Sequence, residues 1–298
     1  MGFSPKSRKR KKTRKKDSKL DDDEVFDFNH DVDSDTDPRV SSKQLDREIS
    51  KKIDFWLHRE KRSEDRSAAG SVLDTQTLTV LDYFLRRGLI DPDIALSTIS
   101  AGKEAVVFYS MTHQGDEVAI KIYRTVTSDF KKREPYLVGD PRFRTIRKTT
   151  QGIVYTWAQK EFKNLQRAFT AGIPVPQPLY VRKNVLIISF IGNDRVPAQL
   201  LRNSTLKHPD KTFNRIIELV RILYKDSKLV HADLSDYNIL MWNELPIFID
   251  FAQAVLIAHP MSELFLKRDL QNLAKYFSRL GVSTEAAEKL YDELIENS

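Results

Sequence analysis

Cysteine is absent from the 298 residues. Disulfides, thiolate-bound zinc and a catalytic thiol are thereby excluded, and the chain suits a reducing compartment. No run of 18 apolar residues occurs, although an apolar content of 40% is enough for a sizeable core. A membrane-spanning helix is therefore not expected. The N-terminus is basic but lacks an apolar segment, so no secretory signal is expected there and a cytoplasmic location is. Glycine numbers only ten, and neither Gly-x-Gly-x-x-Gly nor a Walker A box is present. The two familiar glycine-rich phosphate cradles are thus missing. No internal repeat is visible.

What charge there is, is segregated. Residues 1–16 hold nine Lys/Arg and no acid, and residues 17–37 hold ten Asp/Glu and one Lys. These blocks cancel, so residues 38–298 carry the whole net charge of +7. Like-charge blocks without apolar spacing predict a disordered tail over 1–38, basic and then acidic. Lys9–Lys12 with Arg14–Lys16 reads either as a nuclear-import or RNA-binding arm or as a solubilising tail. A basic balance in the folded part points to an anionic partner such as RNA, with ordinary scatter of Lys and Arg as the alternative.

Leu45, Ile49, Ile53 and Leu57 at helical spacing predict a thin amphipathic helix within a helical extension over 39–92. A second helix is expected from Leu73 to Ile90, capped by Asp74 or Thr75 and stopped near Gly88. Three strands are expected at Ile94–Ser100, Val106–Ser110 and Val118–Tyr123. A helix follows over Tyr155–Ala171, ended by Gly172 and Pro174. Pro178–Val181 and Val185–Ile191 read as two more strands. Asp210–Lys225, Met261–Leu280 and Thr284–Glu296 read as helices.

The most informative stretch is Leu229-Val-His231-Ala-Asp233-Leu-Ser-Asp-Tyr-Asn238, followed by the apolar strand Leu245–Ile249 and Asp250. Transfer of a phosphoryl group from ATP needs one carboxylate beside the attacking hydroxyl. It also needs an amide oxygen and a second carboxylate holding Mg²⁺ on the phosphates. Asp233, Asn238 and Asp250 match that requirement, against the alternative of turn-capping residues in a surface loop. Lys121 closes an apolar strand and is expected to bridge phosphates, paired with Glu161 on the following helix. In that helix Trp157, Phe162 and Leu165 are expected in the core and Lys160 in solvent. Ser100, Gly102 and Lys103 lie on the turn between the first two strands, where backbone N–H groups and the Ser100 hydroxyl would cover phosphates, with a plain hairpin turn as the alternative. Ser189, Phe190 and Ile191 end a strand, either as an ordinary strand end or as a place where backbone groups would meet the adenine edge.

Arg124–Thr150 separates the lysine strand from the glutamate helix and is too long for a plain connection. It holds eight Lys/Arg against three acids, a net +5, interleaved with Phe130, Tyr136 and Phe143. Aromatics among cations suit stacking on bases as well as packing on protein.

With these residues in view, the chain resembles the RIO family of atypical serine/threonine protein kinases, in particular its type-1 branch. The resemblance covers roughly 71–298. It rests on Gly102-Lys-Glu-Ala105, Pro141-Arg-Phe-Arg144, Thr156-Trp-Ala-x-Lys-Glu161, Ala171-Gly-Ile-Pro-Val-Pro176, Leu229–Ser235 and His259-Pro-Met261. It implies a bilobal α/β (α+β) kinase-like fold. A β-rich N-lobe would span 93–191 and include the basic loop 124–150; a helical C-lobe would span 192–298. It implies Lys121, Asp233, Asn238 and Asp250 as the lysine, catalytic Asp and metal ligands, with ATP as substrate and Mg²⁺ as cofactor. It further implies late maturation of the small ribosomal subunit and its rRNA, and Ser autophosphorylation. ATP hydrolysis through an aspartyl phosphate on Asp250 belongs to the same expectation. Asp250-Phe251-Ala252 stands where ordinary kinases have Asp-Phe-Gly, and ten residues separate Asp250 from Met261. No activation segment fits that gap, which agrees with the RIO pattern and weakens any inference to conventional peptide docking.

Overall fold

The computed structural model describes residues 70, 72–94, 96–125, 134–143 and 149–296. The expected charged tail, the helix over 40–66, Phe130 and six of the eight loop cations lie outside the described residues.

Helix α1 (Thr75–Arg86) starts where Asp74 accepts the Thr77 N–H at 2.7 Å, satisfying a donor that has no partner inside the helix. Gly88, at φ +68°, turns the chain away after it. Thr77, Val80, Leu81 and Phe84 share one buried face, the spacing of a helix lying on a sheet. That sheet has five antiparallel strands in the order β1-β2-β3-β5-β4. They are β1 (Ser97–Ala101), β2 (Ala105–Met111), β3 (Glu117–Tyr123), β4 (Pro178–Arg182) and β5 (Val185–Ser189).

Alternation along β3 positions the chemistry. Val118, Ile120 and Ile122 join Val80, Leu81 and Phe84 in one apolar cluster. Their neighbours Ala119, Lys121 and Tyr123 must therefore face the other side of the sheet. There Tyr123 packs with Trp157 and Ala158 of a long helix. After a short helix α2 (Glu134–Leu137) comes that long one, α3 (Thr150–Thr170), with Thr149 accepting the Gly152 N–H at 3.1 Å. It begins five residues before the expected Tyr155. Gly152 in its first turn is a poor helix former and hid the start; the Thr149 cap supplies what propensity lacks.

After β5 the chain crosses through a hairpin of β6 (Gly192–Asn193) and β7 (Val196–Pro197), then β8 (Gln199–Leu200). Gly192 is needed there, because a Cβ at that position would lie 2.2 Å from the Val196 carbonyl oxygen. The second lobe consists of α4 (Pro209–Lys225), β9 (Leu229–Val230), β10 (Ile239–Trp242), β11 (Leu245–Phe248), β12 (Val255–Leu256), α5 (Ser262–Ser278) and α6 (Glu285–Glu296). Phe213, Ile216, Val220, Leu270, Leu273, Phe277 and Leu290 form its core, which Leu165, Ala168 and Leu186 extend into the first lobe. The segment after Asp250 is short because it goes directly into β12, paired antiparallel with β9, and then α5. No described helix is long and apolar enough to cross a membrane.

Candidate active site

Strand β3 delivers Lys121 and helix α3 delivers Glu161 to the same point. The Lys121 Nζ donates to Glu161 Oε1 at 2.8 Å and to Asp250 Oδ1 at 3.1 Å. The Tyr123 hydroxyl donates to the second Glu161 oxygen. Glu161 is buried while the Asp250 side chain is 45% exposed. Burial pushes the Glu161 carboxyl up to about 7. Burial also disfavours the Lys121 ammonium, but Asp250 and Glu161 outweigh it and hold Lys121 above its ordinary range. A cation tethered beside an accessible carboxylate is what a phosphate group can reach.

Asn238 and Asp250 are brought together by a hairpin. β10 and β11 pair in register from Ile239↔Phe248 to Trp242↔Leu245, joined by Asn243 and Glu244, both at positive φ, as a two-residue turn of that twist requires. The Ile249 N–H donates to the Asn238 carbonyl at 3.0 Å, extending the ladder by one step. Asp250 is the next residue, itself at φ +63°. The Asn238 Nδ2 donates to the Asp233 carbonyl at 2.7 Å and to Asp233 Oδ2 at 3.3 Å. Gln253 Nε2 donates to the same carboxylate oxygen at 3.0 Å.

The loop carrying Asp233 is held from beneath by residues the motif did not reveal. Asp269 on α5 is buried and accepts the Ala232 N–H at 2.8 Å and the Leu234 N–H at 2.9 Å. Arg268 donates to the Ala232 carbonyl, and Asn272 donates to the Leu234 carbonyl at 3.2 Å. Ala232 sits at φ +65°, a strained setting for a residue with a Cβ. Burial pushes the Asp269 carboxyl up, against the pull of its two N–H donors and Arg268. His231 is buried, its Nε2 3.0 Å from the Ile249 carbonyl, and burial pulls it down to about 4. It is therefore a neutral structural tie that donates to that carbonyl. A signal for Asp269 existed: it falls on the apolar stripe of α5 with Leu266, Leu270 and Leu273, where an acid needs partners.

The turn after β1 is only partly as expected. Ser100 and Lys103 are exposed. The Gly102 N–H, expected to cover phosphates, is already given to the Ala105 carbonyl at 2.9 Å. In the crossing segment the Phe190 N–H goes to the Glu117 carbonyl, and the Ile191 carbonyl accepts from Ala198. Ser189 Oγ accepts the Gln177 N–H at 2.9 Å. The Ile191 N–H has no protein partner among the described residues.

One expectation is corrected. Lys160 is not solvated: it is fully buried and donates to the carbonyls of Ala252, at 3.1 Å, and Ala254. Of the two uses left open for the aromatics of the basic loop, the described ones take packing on protein. Tyr136 stacks on Phe265 with centroids 5.0 Å apart, and Phe143 is buried. Arg142 is committed to Asp140, with contacts of 2.9 and 2.7 Å. Tyr136 found a partner on α5, some 129 positions away, which local spacing does not reveal.

A small antiparallel sheet with its lysine–glutamate pair, set over a helical lobe carrying Asp233, Asn238 and Asp250, defines a protein-kinase-like phosphotransferase. Comparison with known proteins narrows the class. A family model, the RIO domain, matches residues 106–290. The serine/threonine-protein kinase RIO1 of Homo sapiens is 37% identical over 263 residues, covering 87% of this chain and 46% of that protein. The RIO-type serine/threonine-protein kinase Rio1 of Methanocaldococcus jannaschii is 37% identical over 265 residues, covering 88% of this chain and 86% of that protein. Among solved structures, the Rio2 kinase from Chaetomium thermophilum has a TM-score of 0.56 at 21% identity, over 87% of this chain and 85% of that one. The Rio2 kinase–ADP/Mg²⁺–phosphoaspartate complex from the same organism has a TM-score of 0.55 at 24% identity, over 74% and 70%. The chain belongs to the RIO family, and its relatives at 36–37% identity place it with the RIO1 type. It spans less than half of the human relative and most of the archaeal one.

Proposed function

We propose that this chain transfers the γ-phosphoryl group of Mg²⁺-ATP to a serine hydroxyl. The observation that carries the proposal is the joining of Lys121 to both Glu161 and Asp250, with Asn238 tied to Asp233. Asp233 accepts the proton of the attacking hydroxyl, its carboxylate aimed by the Asn238 and Gln253 amides. Lys121, kept charged by its two carboxylates, binds phosphate oxygens. The half-buried Ile191 segment receives the adenine edge, and Ser100 and Lys103 close over the phosphates.

The residues fit Mg²⁺. Asn238 spends its amide nitrogen on Asp233, leaving Oδ1 to bind a cation, and Asp250 offers an accessible carboxylate. One or two protein oxygens completed by phosphates and water is the usual magnesium arrangement. When bound, the ion neutralises charge on the transferring phosphate.

A variant Asp233→Ala should lose transfer while binding ATP within about threefold of the parent by calorimetry. Lys121→Met should lose ATP affinity itself. Transfer at the parent rate by Asp233→Ala would sink the assignment.

A second reading is favoured by the exposure of Asp250 beside Lys121. An Asp250 oxygen attacks the γ-phosphorus, the bond to ADP breaks, and water later hydrolyses the acyl phosphate, which makes the chain an ATPase switch. Label on a hydroxylamine-sensitive carboxylate would support it, and label only on serine would oppose it. The small ribosomal subunit precursor and its rRNA are the proposed partners in the cytoplasm, with the basic loop 124–150 as the contact. Its net +5 supports this reading, on phosphate attraction alone. A third reading, an RNA-binding assembly factor with a structural ATP site, predicts full function in cells for Asp233→Ala.

A further inference from the structure

We propose that Lys160 and Asn164 are positioning residues that set Asp250 against Lys121 by clamping the backbone that follows it. The proposal rests on the phosphoryl-transfer reading and deepens it. Both side chains are fully buried on α3. Asn164 Nδ2 donates to the carbonyls of Phe251 at 2.9 Å and Ala254 at 2.8 Å. Lys160 Nζ donates to the carbonyls of Ala252, at 3.1 Å, and Ala254. Four donated bonds from two side chains thus fix three of the four carbonyls immediately after Asp250.

The clamp stands where ordinary kinases have a flexible glycine. Ala252 is buried in a cluster with Tyr123, Trp157 and Ala158. Its methyl group fills the space, and Asp250 itself is held at φ +63°, a conformation that persists only where surroundings enforce it. Glu161 lies between the two clamping residues in sequence and carries the Lys121 pair. One helical turn therefore holds both the partner of Lys121 and the loop of Asp250. If α3 shifts, the cation and the metal-binding carboxylate shift together and keep their spacing.

The lysine suits this task. Among the described residues no carboxylate touches its amine; the facing charges are Asp140 and Arg142, already paired with each other, and the Trp157 ring lies 5.6 Å away. Burial pulls Lys160 down to about 7, so near neutrality much of it is an uncharged amine with two N–H groups for two carbonyls. A purely structural role would predict only a loss of stability on substitution. A positioning role predicts a specific loss in metal use.

The test uses the full chain with Lys160→Met, Asn164→Leu and the milder Lys160→Gln. Binding of a non-hydrolysable ATP analogue is titrated against Mg²⁺, and kcat and KM for ATP are measured alongside melting. Residues that orient metal ligands typically cost 10- to 100-fold in metal affinity or activity when removed. The expected result is a fall in kcat and a rise in the Mg²⁺ needed for analogue binding, each on the order of 10- to 100-fold. Analogue affinity at saturating Mg²⁺ should change far less, and Lys160→Gln should be intermediate. Amide exchange at residues 251–255 should quicken. Parent-like Mg²⁺ dependence and kcat in a variant that merely melts earlier would overturn the proposal. If Lys160→Met does not fold, Asn164→Leu and Lys160→Gln decide by the same criteria. If the parent chain shows no transfer, the kinase reading fails and the Mg²⁺ titration of analogue binding still decides the clamp.

Discussion

Replacing Asp269 should damage both stability and catalysis, by amounts that separate two substitutions. Asp269 is 2% exposed and accepts two backbone N–H groups, one on each side of Asp233. Asp269→Asn keeps the shape but turns one acceptor oxygen into a donor, so one buried N–H loses its partner. Asp269→Leu strands both. A buried donor left unpaired costs roughly 1–3 kcal/mol. The expected losses are then about 1–3 kcal/mol for Asn and about 2–6 kcal/mol for Leu, before relief of the charge that burial disfavours. For a domain of this size about 3 kcal/mol corresponds to a fall of roughly 6–12 °C in Tm. Relief of the strain at Ala232 would let the loop relax and carry Asp233 away from Asn238, lowering kcat more than KM. Urea unfolding and single-turnover transfer on the same samples check both. Two variants equal to each other and within about 0.5 kcal/mol of the parent, with unchanged kcat, would refute the reasoning.

Two further outcomes follow from the geometry. The folded chain holds Lys160 near 7 against an ordinary 10.5, so between those values the unfolded chain binds more protons and stability rises with pH. In Lys160→Met the urea midpoint should gain less between pH 7 and pH 9.5 than in the parent; an equal gain contradicts the burial argument. Gly192→Ala places a Cβ 2.2 Å from the Val196 carbonyl. It should cost about 1–3 kcal/mol and weaken ATP binding at the adjacent Ile191 segment; an unchanged unfolding midpoint and affinity would contradict the close approach.

The candidate groups could be picked out because they lie in or after apolar strands or in a fixed spacing: Lys121 within β3, Asp250 after β11, Asn238 five residues after Asp233. The elements were legible for a related reason, since alternating and helical apolar periods mark β2, β3, α4 and α5 directly. What the sequence concealed was the supporting polar frame. Asp269, Lys160 and Asn164 look like surface residues by type, yet each is buried through partners 35 to 94 positions away. Their identity becomes readable only as polar residues on an otherwise apolar helix stripe. In the basic loop the spacing left Tyr136 open to bases or to protein, and the rings of Phe265 on α5 and Trp157 on α3 offered it a drier partner.

Central to the proposed function is Asp233 acting on a hydroxyl, with Lys121 on the phosphates and Asn238 and Asp250 as the residues that would hold Mg²⁺ there. Single-turnover incubation of the full chain with γ-labelled ATP and Mg²⁺, with the labelled residue then mapped, tests this most directly. The predicted result is acid-stable label on serine in the parent chain and none in Asp233→Ala, although that variant still binds ATP. Parent-level serine label in Asp233→Ala would contradict it.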